Sequence, residues 1–389
     1  MHPHTDQPVS KKHIHDVLPR LRYEGPHKTG IDVAEYYGFH LIQPVKPIKE
    51  DRAKEFPPER VALLRKYLET GMDAWAQPVM MSHTYKVPYQ DEYHLRLEAL
   101  GSKHGAIEST LIHTARAILH SFGKTNVHVH INSVGGRDSV DRFTNEIANF
   151  YKKHYNDLEA CCQEGLKSNA YAPFTCTADA CAEMRRRAPK PINYLSEVSR
   201  RHFFDIVESL EELDITYSLK EHLLGDPRYN TRTVFEIVDA ETGEQLALGE
   251  RYDNLAKKAG LGRTIPAAGV SIMVGKTKAK ETIKPYKKLP NTDRHVYMIQ
   301  LSPSGKRNAL QLVERLREAQ IPLTVSFGAN KLSDQMVRAK QLDSPIIVII
   351  GHKEWAEGTA IVRKNETRAQ KIVPQSQLPG HLKRLVRSV

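Results

Sequence analysis

Residues 246 to 256 read Leu-Ala-Leu-Gly-Glu-Arg-Tyr-Asp-Asn-Leu-Ala, so a small-residue turn leads directly into Arg251, Tyr252 and Asp253. Arg251 offers a planar fork of donors and Tyr252 an aromatic wall carrying a hydroxyl, which together suit a small zwitterionic or carboxylate-bearing ligand. Gly249 lacks a Cβ and is expected to end the preceding strand and let a ligand approach the backbone closely. The plainer reading is an Arg251–Asp253 surface pair at a hairpin end. Either way the turn has a scaffold. Val234 to Val238 and Gln245 to Leu248 are apolar, strand-like runs separated by Asp239 to Glu244, a turn-rich insert containing Gly243, and they read as a β-hairpin.

The elements that must position this turn follow from periodicity. Apolar residues at Ile107, Leu111, Ile112, Ala115 and Ile118 predict an amphipathic helix over 107–122, and Val61 to Leu68 has the same spacing. Val127 to Asn132 alternates strictly, predicting a half-buried strand whose His128 and His130 share a polar outer face rather than a metal. Residues 1–26 are polar and read as a flexible N-terminal arm. Lysines 276, 278, 280, 284, 287 and 288 with Pro285 and Pro290 mark a basic linker over 276–290. Beyond it, strands at 295–301, 323–326, 346–350 and 359–363 alternate with helices at 306–320 and 332–342 in an α/β unit.

Composition narrows the function classes. A chain of 389 residues exceeds one typical core. Its 57 basic against 46 acidic side chains give a net charge of +11, which favours a polyanionic partner such as RNA. No apolar run approaches the roughly 18 residues that span a bilayer, so no membrane is expected and the chain reads as cytoplasmic. The four cysteines, Cys161, Cys162, Cys176 and Cys181, form no disulfide framework. Two are adjacent, which departs from the usual spacing of paired metal ligands, so they are expected to be reduced, structural thiols with no metal.

Three ordered segments resemble the histidyl-tRNA synthetase family of class II aminoacyl-tRNA synthetases. Tyr229-Asn230-Thr231-Arg232-Thr233-Val234-Phe235-Glu236 and Gly249-Glu250-Arg251-Tyr252-Asp253 are similar to its histidine-specific motifs, and Pro266-Ala267-Ala268-Gly269-Val270-Ser271-Ile272 to its third class II motif. Tyr36-Tyr37-Gly38-Phe39 to Pro44 resembles the end of its first motif, and Glu92 to Gly101 the strand after its second. Ala188-Pro189-Lys190 through His202-Phe203 resembles its helical insertion, and His295 onward its anticodon-binding domain. The resemblance implies an α/β chain: an α+β class II core with an antiparallel sheet over 27–275, an insertion around 140–205, and a C-terminal α/β anticodon-binding-like domain over 291–389. It also implies a histidine pocket built from Glu59, His94, Glu98, Tyr229, Arg251, Tyr252 and Asp253. The partners it implies are tRNA or another RNA, histidine as a candidate ligand, and a second copy in a homodimer. In the C-terminal unit Lys331, Gln335, Arg338 and Lys340 lie on or beside one helix, while Arg363, Lys364, Arg368 and Gln370 bracket the last hairpin. They either contact phosphates and splayed bases or form an ordinary charged face.

The departures from that family bear on mechanism. Forming an aminoacyl adenylate builds charge on the α-phosphorus of ATP, and a site for it needs fixed cations. The family supplies arginines from motif 2, from Arg-Gly-Leu-Asp-Tyr-Tyr and from the end of motif 3. Here motif 2 reads His83-Thr84-Tyr85-Lys86, Gly225 stands at the second arginine, and the terminal Glu-Arg is Gly275-Lys276. The family's Leu-Arg-Pro-Glu-Gly-Thr reads Phe56-Pro57-Pro58-Glu59-Arg60-Val61, its Gln four residues before a Glu is His94, and a glycine is Glu250. Lysine does not reproduce a guanidinium clamp, and removing one such donor typically costs about 100-fold or more. The leading expectation is a homologue that binds tRNA or RNA with aminoacylation lost or weak. One alternative is an active, divergent histidine–tRNA ligase using ATP and Mg, with Arg228, Lys86 or Lys276 as replacement cations. The other is a histidine-sensing regulatory paralogue of the histidine-biosynthesis type. No cofactor is expected unless the ligase is active.

Overall fold

The computed structural model describes residues 14–19, 21–52, 55–75, 77–87, 92–167, 169–176, 178–276, 282–285, 296–301, 303–325, 332–341 and 343–387. Its strands are, in chain order, β1 Leu21–Glu24, β2 His40–Leu41, β3 Val79–Lys86, β4 Glu92–Leu100, β5 Val127–Gly135, β6 Tyr217–Leu219, β7 Thr231–Asp239, β8 Gln245–Arg251, β9 Ala267–Lys276, β10 Thr282–Pro285, β11 Val296–Gln300, β12 Leu323–Val325, β13 Ile346–Ile350, β14 Thr359–Lys364 and β15 Gln370–Pro374. The chain divides into two compact units, one of residues 46–64 and 103–275, the other of 1–45, 65–102 and 276–389.

In the first of these, strands hydrogen-bond in the order β9-β8-β7-β5-β6, antiparallel except for β5 with β6. The predicted hairpin is β7–β8. Its turn closes because Asp239 Oδ1 accepts the backbone N–H of Glu241 and of Thr242, at 3.0 and 3.1 Å, and Gly243 takes a left-handed φ of 71°. β8 does not end at Gly249. It continues to Arg251, and a Cβ on Gly249 would sit 2.1 Å from the ring of Phe235, its partner on β7. The glycine makes room for an aromatic ring rather than for a ligand. Behind β8 packs the Ala106–Ser121 helix, matching the predicted apolar stripe, and against that helix packs Glu197–Glu212. Ser196 caps the latter by accepting the Ser199 N–H. Helices Arg137–Lys153, Ala160–Gly165, Ala172–Thr175 and Asp179–Arg187 form the insertion around a small core of Phe143, Ile147, Tyr151, Phe174 and Met184.

The second unit holds the order β2-β3-β4, with β3 and β4 a long antiparallel pair, and the order β12-β11-β13-β14-β15. β11, β12 and β13 are parallel, joined through the helices Pro303–Glu318 and Leu332–Gln341, and every residue of β11 is buried, as befits a strand covered on both faces. The predicted strand and helix alternation is therefore present, completed by β15 and the Leu378–Val386 helix. Two expectations change. Part of the expected arm and part of the expected linker, β1 and β10, pair antiparallel, because Leu21-Arg22-Tyr23-Glu24 alternates and buries Leu21 and Tyr23. Among the described residues no helix is long and apolar enough to cross a membrane.

His27, at the N-terminus of the Lys28–Tyr36 helix, is buried beside Tyr23 and Tyr93, and its pKa is lowered to about 4, first by burial and then by His94. The folded chain keeps this ring neutral, whereas the unfolded chain protonates it near the ordinary value of 6.5. A depressed folded pKa means stability that is full above 6.5 and falls as the pH drops toward 4. Melting temperatures across that window should decline less steeply for His27→Phe than for the parent chain; parallel slopes would contradict the assignment.

Candidate functional site

Alternation along β8 sends consecutive side chains to opposite faces, so Glu250 and Arg251 part company at the heart of the expected pocket. Arg251 is fully buried against the helix layer. Its Nε and Nη2 donate to the two carboxylate oxygens of Glu108 at 2.7 Å each, and its Nη1 donates to Asp253 Oδ1 at 3.1 Å. Glu108 is also fully buried and lies 2.8 Å from His202 Nε2. Burial alone would push the Glu108 carboxyl up, but Arg251 and then His202 outweigh it and hold the pKa at about 2. Asp253 Oδ1 additionally accepts the Ala267 N–H at 2.9 Å, tying the turn to β9. Tyr252 is fully buried. Neither the ligand fork nor the surface pair describes Arg251; it is one half of a buried ion pair joining β8 to two helices.

Glu250 occupies the other face. Its carboxylate forms a buried ion pair with Arg60, accepts from Asn230 Nδ2 at 3.0 Å, and accepts from Tyr229 Oη at 3.3 Å. The Arg60 guanidinium lies 4.7 Å over the Tyr252 ring, a cation–π contact. Burial and then Glu250 push the Tyr229 phenol upward, so it stays a donor. Gly225 completes the cluster: a Cβ there would meet Asn230 Nδ2 at 2.5 Å and Glu250 Oε2 at 2.9 Å. The arrangement pairs one guanidinium with one carboxylate, and the chain's own side chains supply the carboxylate's partners.

The remaining candidates belong to both units. Glu59 is partly buried one residue before Arg60. Arg228 is half exposed, with its Nε donating to Asp226 Oδ1 at 2.9 Å and its Nη1 to Glu55 at 3.3 Å. In the other unit Glu98 is buried on β4, and His94 lies 3.5 Å from Glu92, its pKa lowered chiefly by burial. Lys86 is exposed at the end of β3, with its Nζ 5.7 Å over the Tyr93 ring. The side chain of Lys276 lies outside the described residues, as do Lys331 and the side chain of Arg338. Gln335 is a structural residue: fully buried, it accepts the Gln300 N–H at 3.1 Å and donates to the Gln300 carbonyl at 2.6 Å. Lys340, Arg368 and Gln370 are exposed, and Arg363 is partly buried opposite Gln370. His381 on the last helix has its pKa lowered by burial and then by Lys371, Arg384 and Lys364. That places a cluster of cations on the β14–β15 hairpin and the final helix.

A family model described as histidyl-tRNA synthetase matches residues 97–276, and one described as an anticodon binding domain matches 295–385. The histidine–tRNA ligase of Halothermothrix orenii is 28% identical over 350 residues, covering 87% of this chain and 83% of its own. That of Desulforamulus reducens is 28% identical over 344 residues, covering 84% and 81%. The apo histidyl-tRNA synthetase of S. aureus shares the fold, with a TM-score of 0.51 at 18% identity over 91% of this chain and 93% of that one. The chain is a histidyl-tRNA synthetase-like class II protein. In this synthetase-like chain the cluster around Glu250 joins the motif residue Tyr229 to four departures from the family motifs. Arg60 and Glu250 each stand at a family glycine, Gly225 at an arginine and Asn230 at a tyrosine. Two glycine positions thus carry the two halves of one ion pair.

The motifs are visible in the sequence, whereas the partners of their residues are not. Glu108 was legible as an acid on an otherwise apolar helix face, next to Ile107 and three residues before Leu111. Arg60 and Glu250, 190 positions apart, have no shared local pattern. Breaking a buried pair from one side typically costs about 3–5 kcal/mol, since the remaining charge is uncompensated. Glu250→Ala and Arg60→Ala should each destabilise by about that much, and the double variant by clearly less than the sum. Denaturant unfolding of all four proteins measures this coupling; additive effects would contradict it.

Proposed function

We propose that this protein is a tRNA-binding histidyl-tRNA synthetase homologue that does not form histidyl adenylate. The observation that carries the reading is the Arg60–Glu250 pair, bonded to Tyr229 and Asn230 and backed by Gly225. It fills space that two glycines leave open in the family, and it excludes a side chain at the position where the family places an arginine. Arg251 cannot act in its stead, since Glu108 and Asp253 engage it inside the fold. Arg228, the nearest replacement cation in sequence, is held by Asp226 and Glu55.

Binding of tRNA follows from the C-terminal unit. Lys364, Lys371 and Arg384 converge around His381, and exposed Lys340, Arg368 and Gln370 extend the same chemistry to phosphates and bases. Arg363 belongs with them on β14. A second copy of the chain and a cytoplasmic setting complete the reading.

Pyrophosphate exchange with histidine and ATP, run beside tRNA binding at two salt concentrations, tests it. The expected result is no histidine-dependent exchange together with tRNA affinity that falls as salt rises. Lys371→Ala and Arg384→Ala should each weaken binding and lower the salt slope by about one for every phosphate left without its cation. Histidine-dependent exchange would sink the reading in favour of the ligase. Absent tRNA binding, with histidine raising the melting temperature, would replace it with the histidine sensor.

A further inference from the structure

Three of the four cysteines of the chain converge on one point of the insertion, and the fourth, Cys181, lies against one of them. Cys161 and Cys162 open the Ala160–Gly165 helix, Cys176 follows the Ala172–Thr175 helix, and Cys181 lies in the first turn of Asp179–Arg187. The Sγ atoms of Cys161, Cys162 and Cys176 lie within 4.8 Å of one another, with Cys161 Sγ and Cys176 Sγ 3.8 Å apart. Cys181 Sγ lies 3.2 Å from Cys162 Sγ. All four are free thiols.

Core packing explains part of this. Cys162 and Cys181 are buried among Tyr151, Phe174 and Met184, where a thiol behaves as a small apolar group. It does not explain Cys161, which is exposed, or Cys176, which is half-buried, yet both present sulfur to the same point. In a tetrahedron of thiolates about 2.3 Å from a zinc ion, neighbouring sulfurs are separated by about 3.8 Å, which is the separation of Cys161 Sγ and Cys176 Sγ, while Cys162 Sγ and Cys181 Sγ lie 3.2 Å apart. The alternative, two disulfides, requires sulfurs about 2.0 Å apart.

Two further features suit a cation. Arg185 Nη1 donates to the carbonyls of Pro173, Phe174 and Cys176 at 3.2, 3.2 and 2.7 Å, placing a guanidinium beside a site that four thiolates and a divalent ion would leave negative. Finally, the surrounding helices have 6, 4 and 9 residues, too short to be stable singly and sharing a small core. Small, loop-rich folds of this kind commonly rely on a metal staple.

We infer that Cys161, Cys162, Cys176 and Cys181 bind one structural zinc ion that staples the three short helices of the insertion together. This replaces the expectation of metal-free thiols. Adjacent ligands Cys161 and Cys162 were what argued against it in the sequence. The fold overcomes that objection by bringing Cys176 and Cys181 back across the same helix end, a closure that spacing alone does not display.

The test uses the full chain purified without chelators. Elemental analysis should find about one zinc per chain, and cobalt replacing it should show a thiolate-to-cobalt charge-transfer band with the intense visible bands of tetrahedral coordination. Cys176→Ser and Cys181→Ser should each lower zinc content at least several-fold. Should those variants misfold, the cobalt spectrum of the parent chain still decides. A parent chain that binds neither metal through sulfur after reduction, or whose alkylated mass shows paired disulfides after purification under reducing conditions, would overturn the inference.

Discussion

The bidentate contact between Arg251 and Glu108 is the constraint on which the synthetase-like core rests. It joins β8 to the helix behind it, His202 extends it to a second helix, and Asp253 extends it to β9. Both charges are fully buried, so neither can be removed without stranding the other. The contact also fixes the phase of β8. With Arg251 committed to the helix layer, alternation obliges Glu250 to point to the opposite face, toward Tyr229 and Asn230.

That geometry separates ancestry from activity. Arg251, Tyr252 and Asp253 identify the family because they hold the fold, and a protein can keep them whether or not it performs chemistry. Around Glu250, by contrast, Arg60, Asn230, Gly225 and Glu250 itself are changed positions. Arg60 and Glu250 would each be an unpaired buried charge if introduced alone, and together with Asn230 and Gly225 they form one cluster. Their coincidence has a physical basis: the arginine needs the carboxylate, and the carboxylate needs the space above Gly225.

Local pattern made the fold legible. The β7–β8 hairpin, the helix behind it and the alternating C-terminal unit were all readable because each depends on periodicity within one segment. What escaped depends on distance in the chain. Gly249 suggested ligand access, but Phe235 across the hairpin claims the space. Gln335 suggested an RNA contact, but it bonds the backbone of Gln300 on β11. The arm and linker looked like connectors because β1 and β10 are only four residues each, and they acquire their role by pairing. The four cysteines are informative through convergence rather than spacing.

On the proposed reading, Arg60 and Glu250 take the space that a bound histidine would need. Calorimetric titration of histidine into the full chain addresses it directly. No saturable binding is expected up to roughly millimolar concentrations, the upper end of ordinary substrate affinities. Saturable binding well below that range, abolished by Tyr229→Phe, would contradict it.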